Sequence, residues 1–183
     1  RIRLMHIVIL GPISILPLNN YLTFEQLVKE EYGMGGIPIV NQILSLYEAG
    51  HQITVISLTD KITKNEIIEY FTKDKRVRIF FAFLRKGHGI VDFFRIEKKN
   101  ILSILNNICN YDLIISNFTV EYSFSITGLN KKKIIVLHDN PYNILKRNKF
   151  SAYWWVRYFI SKYIIIRNKY FVCVSEYVRP RTI

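Results

Sequence analysis

Apolar positions arrive along this chain in short continuous runs, separated by stretches of mixed polarity. "HIVILG" (6–11), "QITVISL" (52–58), "RVRIFFAFL" (76–84), "YDLIISNF" (111–118), "KKIIVLHDN" (132–140) and "KYFVCVSE" (169–176) are bounded by turn formers and rich in β-branched and aromatic residues. These are the marks of buried strands. Between several of them, apolar residues recur at helical spacing. From about Ile37 to Ala49, the stripe Ile39, Ile43, Leu44, Leu46 and Tyr47 predicts a helix that Gly50 closes as a C-cap. Residues 95–108 repeat the pattern with Ile96, Ile101, Leu102, Leu105 and Ile108 facing inward. A further helix is expected around Lys64–Thr72 and a helical region over 143–168, while residues 12–32 and "RKGHGIVDF" (85–93) read as loops.

Strands that are apolar throughout are covered on both faces, and their alternation with helices implies parallel pairing through crossovers. The expected class is therefore α/β, a doubly wound, mostly parallel Rossmann-like sheet. At 183 residues the chain has room for one such domain, and its 50% hydrophobic content is that of a folded one.

In such sheets ligands bind beyond the carboxyl ends of the strands, where helix N-termini point. Gly33, Gly35 and Gly36 stand there, ahead of the first helix. Unpaired N–H groups and the helix dipole favour an anion at that place, and absent side chains let a phosphate approach closely. The dinucleotide fingerprint G-x-G-x-x-G follows its strand directly; here about twenty residues separate Leu10 from Gly33, and no Gly-Lys-Ser/Thr of a P-loop follows. On local pattern alone, an anion site and a plain turn both remain open. Pro38 falls in the first helical turn, where its missing N–H costs nothing.

Charge placement adds a constraint. The net charge is +12, and residues 131–183 hold twelve Lys/Arg against only Asp139 and Glu176, while residues 1–60 hold three basic and five acidic residues. Such asymmetry suits either an anionic partner or a solvated basic face. The two cysteines, Cys109 and Cys173, sit beside apolar runs and are expected to be buried reduced thiols; a zinc site needs more ligands at closer spacing, so no metal is implied. No stretch reaches the roughly 18 apolar residues of a membrane-spanning helix. The basic, apolar opening is expected to be a first strand rather than a leader, since Gly11 and Pro12 interrupt it.

Four blocks occur in a telling order: "MHIVILGP" (5–12), "GMGGIPIVNQILSLYEAGHQITVISL" (33–58), "IIVLHDNP" (134–141) and "KYFVCVSEYV" (169–178). Together they resemble the amino-terminal domain of GT-B fold glycosyltransferases, in particular the large retaining family 4, over nearly the whole chain. That resemblance implies transfer of a sugar from a nucleotide-diphosphate donor, the co-substrate, to a glycan or lipid-linked acceptor in bacterial surface polysaccharide synthesis. It implies no further cofactor. Residues 1–183 would then be the acceptor-side domain, with a carboxy-terminal donor domain outside this chain and little turnover without it. The resemblance assigns Gly35 and Gly36 to the donor diphosphate, and gives His138 a catalytic role at the donor sugar or the developing charge. Against these stand a mere turn for the glycines and a half-buried strand-closing histidine.

His88, on a loop at the ligand end, and Asp139 are possible acceptor-side residues; Asp139 as a partner for the His138 imidazole is disfavoured because neighbours on a strand point opposite ways. His51 follows Gly50 at the far end and is expected to be structural. Ser175 resembles the family's N-cap of a following helix, although Pro180 would break that helix.

The family's donor-binding glutamates, eight positions apart, have no counterpart here, and neither has a metal-binding D-x-D. In the aromatic, basic segment 151–170, Arg157, Lys162 and Arg167 advance about 140° at each step and share no face. Burial with snorkelling basic ends and an anionic membrane surface stay open for it. The location expected is cytoplasmic, with peripheral attachment to the inner face of the cytoplasmic membrane as an option. The principal alternative is a non-catalytic Rossmann-like module that docks on a membrane or partner enzyme through its basic half. A nucleic-acid-binding protein lacks a recognition motif, and an NAD-dependent oxidoreductase has only Asp60, after the second strand, in its favour.

Overall fold

Successive side chains of a strand point to opposite faces, so a strand that is apolar on both must lie deep in a sheet. The first strand does. In the computed structural model, which describes residues 3–28, 32, 37–85, 94–117 and 120–174, β1 (His6–Leu10) places Ile7 and Ile9 in one apolar layer and Val8 and Leu10 in the other. Its neighbours are β2 (Gln52–Thr59) and β5 (Leu113–Asn117), both parallel, with Ile9 facing Val55 on one side and Ile115 on the other. With β3 (Ile67–Phe71), β4 (Val77–Phe83), β6 (Lys133–Leu137) and β7 (Phe171–Cys173), the order is β3-β4-β2-β1-β5-β6-β7, parallel throughout except for the β3–β4 pair.

Helices cover both faces. On one lie α1 (Ile37–Glu48) and residues 13–28, burying Ile39, Val40 and Ile43 against β1, β2 and β4. On the other lie α2 (Arg95–Asn107) and α3 (Val120–Ile126), which bury Ile101, Leu105, Tyr122 and Ile126 against Leu10, Ile56 and Leu137. Beyond them, α4 (Pro141–Arg147) leads into α5 (Ala152–Arg167), whose Ile164 packs on Phe94 and Val120. The protein is a doubly wound, Rossmann-like α/β domain. Each fully buried Ile, Leu or Phe contributes about 1.5–3 kcal/mol, so the two layers are the main source of its stability.

Several expectations need correction. Lys64–Thr72 is not a helix. Its alternating, β-branched and aromatic residues form β3, which turns at Thr72–Val77 into β4: Thr72 N donates to the Val77 carbonyl, Val77 N to Thr72 Oγ1, and Lys75 adopts a left-handed conformation. Residues 12–28 are a loop as expected, irregular apart from one 3-10 turn (Leu16–Asn20), but it is packed onto the sheet: Ile13, Ile15, Leu18, Leu22, Phe24 and Val28 are buried. The helical region near 143–168 is two helices, because the chain turns at residues 148–150. Cys109 is exposed and Cys173 half-buried, both free thiols; Cys109 lies in the turn before β5 rather than within the strand's buried part. Among the described residues, no helix is long and apolar enough to cross a membrane.

Polar groups lock the second layer. Lys133 Nζ donates to the carbonyls of Ile126, Thr127 and Leu129, satisfying the end of α3 with a cation where the helix dipole favours one. Arg157 Nη1 lies 2.7 Å from Glu121 Oε1, with side chains only 16% and 10% exposed, and its guanidinium is stacked near Phe94, Tyr153 and Trp154.

Candidate functional site at the carboxyl edge of the sheet

The sheet changes winding direction between β1 and β5: from β1 the chain runs outward to β2, on to the edge strand β3 and back in to β4, then crosses to β5 on β1's other side. The carboxyl ends of these two strands therefore diverge into the crevice where ligands of such folds bind. Three elements converge there. β1 ends in Gly11, whose N–H donates to the Ile56 carbonyl at 3.2 Å. A Cβ on Gly11 would stand 2.8 Å from Ile39 Cδ1 and 2.9 Å from Asn117 Cβ, so only glycine lets β1, the start of α1 and the end of β5 approach this closely.

Asn117 closes β5 and is buried. Its Nδ2 donates to Gln42 Oε1 on α1 at 2.9 Å, which turns its Oδ1 toward His138, the residue after β6, at 3.2 Å from Nε2. With Asn117 Oδ1 as acceptor, the neutral His138 imidazole carries its proton on Nε2 and presents Nδ1 as a lone-pair acceptor. Protonated, the same ring would offer Nδ1–H as a donor. Gln42, Asn117 and His138 thus form a directed relay that fixes the ring, as second partners orient a working imidazole in other sites.

After His138, Asp139 is exposed, and Asn140 caps α4 by accepting from Tyr142 N at 3.0 Å, with Pro141 at the first helical position. The bond that orients His138 comes from Asn117 across the sheet, not from Asp139. The crevice wall is held from below by two buried hydroxyls: Ser57 Oγ accepts from Ile13 N at 3.2 Å and Tyr122 Oη from Leu58 N at 2.7 Å. Burial pushes the Tyr122 phenol well up, so it stays neutral. Ile39 touches the Gly11 position, which puts the start of α1 at this same edge.

The site residues expected from sequence are only partly visible. His138 and Asp139 are placed as above. Gly35, Gly36 and His88 lie outside the described residues, as do Ser175, Glu176 and Pro180. His51 is buried at the opposite, amino edge; it follows Gly50, the left-handed cap of α1, and its Nδ1 accepts from Met5 N at 3.2 Å. Asp60 is exposed just past β2. Gln42 and Asn117 were not anticipated. A signal existed: "LIISN" and "KIIVLH" both end an apolar strand on a polar side chain, at adjacent carboxyl ends. Among the described residues, no group of His, Cys, Asp or Glu is placed to hold a metal ion.

Compared with known proteins, the chain matches no protein-family model and no curated sequence. The class defined by its architecture is the Rossmann-like α/β domain with a polar relay at the switch point.

Proposed function

We propose that the chain is the acceptor-binding domain of a retaining glycosyltransferase, which moves a sugar from a nucleotide-diphosphate sugar to a glycan or lipid-linked acceptor in bacterial surface polysaccharide synthesis. The supporting observation is the Gln42–Asn117–His138 relay, set at the switch point beside the start of α1. The four sequence blocks that resemble family 4 enzymes support the same reading. In the reaction, the bond between the sugar's anomeric carbon and the diphosphate oxygen breaks with its electrons leaving on the diphosphate. The acceptor oxygen forms the new bond and gives up its proton to the departing diphosphate oxygen. His138, held by Asn117, hydrogen-bonds the donor sugar. The N–H groups of α1's first turn (Ile37, Ile39 and Val40, Pro38 having none) face the charge that grows on the leaving group, with Gly35 and Gly36 supplying room for a close approach. Fixed donors of this kind are each worth roughly a hundredfold in rate.

Two measurements test this. In the polypeptide carrying both domains, His138→Ala is expected to lower sugar transfer by about a hundredfold or more with an unchanged melting temperature; full activity would sink the assignment. In the present chain, titration with pyrophosphate should shift the amide resonances of Ile37, Ile39 and Val40 and the His138 imidazole. Silence at all four would remove the diphosphate from this edge.

A further inference from the structure

We propose that the outer face of α5 is a membrane-docking surface, resting in the interface of a bilayer that carries anionic lipids. The inference does not depend on the sugar-transfer reading. Its starting point is a regularity in the apolar residues of α5. Trp155, Phe159, Tyr163 and Ile166 follow one another at steps of four, four and three, which on a helix is a single line. Arg157, Ser161 and Ile164 occupy the other side, turned toward α3. Phe159 is 60% and Ile166 79% exposed, and Phe150, on the turn just before α5, is 93% exposed. A line of large apolar side chains standing in water is unusual enough to mark a binding face.

Its chemistry and its border identify the occupant. Trp and Tyr combine an apolar body with a polar tip, the form suited to a headgroup boundary. Cations lie against the rings on every side: Lys149 5.0 Å from the Phe150 ring, Lys162 5.4 Å from Tyr158, and Arg167 5.7 Å from Tyr163. On the α2 side, the Phe124 ring stacks 6.3 Å from Tyr163 and carries Lys98 Nζ at 5.1 Å, beside an open depression lined by Arg95 and Lys99. From Pro141 to Val174 the chain holds seven Lys/Arg and no Asp or Glu. An apolar ridge with a wholly cationic border matches a surface that is apolar inside and anionic outside, which an anionic bilayer is. A second copy of the chain would bring like charges together around the ridge, which disfavours self-association. A nucleic-acid strand calls for a groove that tracks its backbone, whereas this ridge is the outward side of a helix.

Topology then orients the docked molecule. The β6–β7 pair is parallel, so α4 and α5 carry the chain from the carboxyl edge back to the amino edge. The Phe150 and Trp155 end of the ridge therefore lies toward the edge that holds His138.

Co-sedimentation of the chain with phosphatidylcholine vesicles, with and without phosphatidylglycerol, tests the proposal. Binding is expected only with phosphatidylglycerol and should weaken as salt rises. The Phe159→Ser/Ile166→Ser variant should partition about tenfold less or weaker still, with its melting temperature unchanged. In a Trp154→Phe background, the remaining Trp155 emission should shift to the blue on the same vesicles. No binding by the wild-type chain at low salt overturns the proposal. So does equal binding by the serine variant, a ridge-dependent dimer seen by light scattering, or a single-stranded oligonucleotide that binds through the ridge in place of vesicles.

Discussion

Replacing Gly11 by alanine asks how tightly the carboxyl edge is assembled. Gly11 needs no left-handed backbone, so the cost of a methyl group there is one of space alone. The new Cβ meets two atoms of different compliance. Ile39 Cδ1, at 2.8 Å, is the end of a side chain and can rotate away; Asn117 Cβ, at 2.9 Å, is one bond from the β5 backbone and cannot. Ordinary contact begins near 3.4 Å, so β1 and β5 must part by about half an ångström. Overpacking of this kind costs about 1–3 kcal/mol, and in a domain of this size each kcal/mol lowers the melting temperature by about 2–4 °C. Gly11→Ala should therefore melt roughly 2–12 °C below wild type by circular dichroism. The same displacement acts on the relay. As β5 moves off β1, Asn117 moves away from α1. About half an ångström more stretches the 2.9 Å bond from its Nδ2 to Gln42 Oε1 to the long end of a hydrogen bond, loosening the amide that orients His138. Long-range nitrogen spectra of the imidazole should show the ring losing its fixed Nε2–H tautomer. Adding Ile39→Val removes Cδ1 but not the Asn117 contact, so the double variant should regain only part of the lost stability. A Gly11→Ala protein that melts within about 1 °C of wild type, with its imidazole spectrum intact, would show that the edge is looser than these distances state.

Three other outcomes are expected. Glu121→Gln leaves Arg157 without its counter-charge in a mostly buried place and should cost about 3 kcal/mol, while Glu121→Gln with Arg157→Met should recover much of it; equal losses in both variants, measured by denaturant unfolding, would count against a coupled pair. Burial pushes the Asp74 carboxyl up, but hydrogen bonds from Thr72, Arg76 and Tyr47 outweigh it and hold the group well below the ordinary carboxylate value. Because the folded-state value is depressed, its contribution to stability is present above about pH 4 and fades as pH falls below that. Asp74→Asn should melt lower than wild type at pH 7, and the gap should narrow steadily as pH falls below about 4; a gap as wide at pH 2 as at pH 7 would refute the linkage. On the proposed sugar-transfer reading, Gly35→Val should weaken binding of pyrophosphate to the chain, and unaltered affinity would remove the phosphate role of that glycine.

The central sheet was readable because its strands are short apolar runs, rich in β-branched and aromatic residues and bounded by turn formers, too short for a buried helix and too apolar for a solvated loop. The end of α1 was readable too, since Gly50 supplies a conformation few other residues adopt. What the sequence hid depends on partners far along the chain. "NEIIEYF" has the composition of either element, and its pairing with β4 decides for a strand. α3 is short and holds Ser123 and Ser125, poor helix formers; it exists because Ser116 accommodates Ser123 and Lys133 takes up the last carbonyls. At the candidate site His138 stood out as a residue type, but Asn117 and Gln42, 75 positions apart, become neighbours only once β5 lies beside β1 and α1 covers them.

The segment after β1 explains why the glycines come so late. From Gly11 the chain does not enter α1 directly. It crosses the sheet face, burying Ile13, Ile15, Leu18 and Leu22, and reaches the far edge, where Glu25 N donates to the Phe71 carbonyl, Lys73 N to the Thr23 carbonyl, and Phe24 bridges Thr72. β3 lies three strands from β1, about 14 Å at the usual spacing, and this traverse lays a partial cover along its open side. Exposed strand edges recruit other chains. A deletion that brought the glycines up against β1, as in a dinucleotide-binding loop, would strip that cover, and its first symptom would be aggregation and poor solubility rather than loss of a ligand.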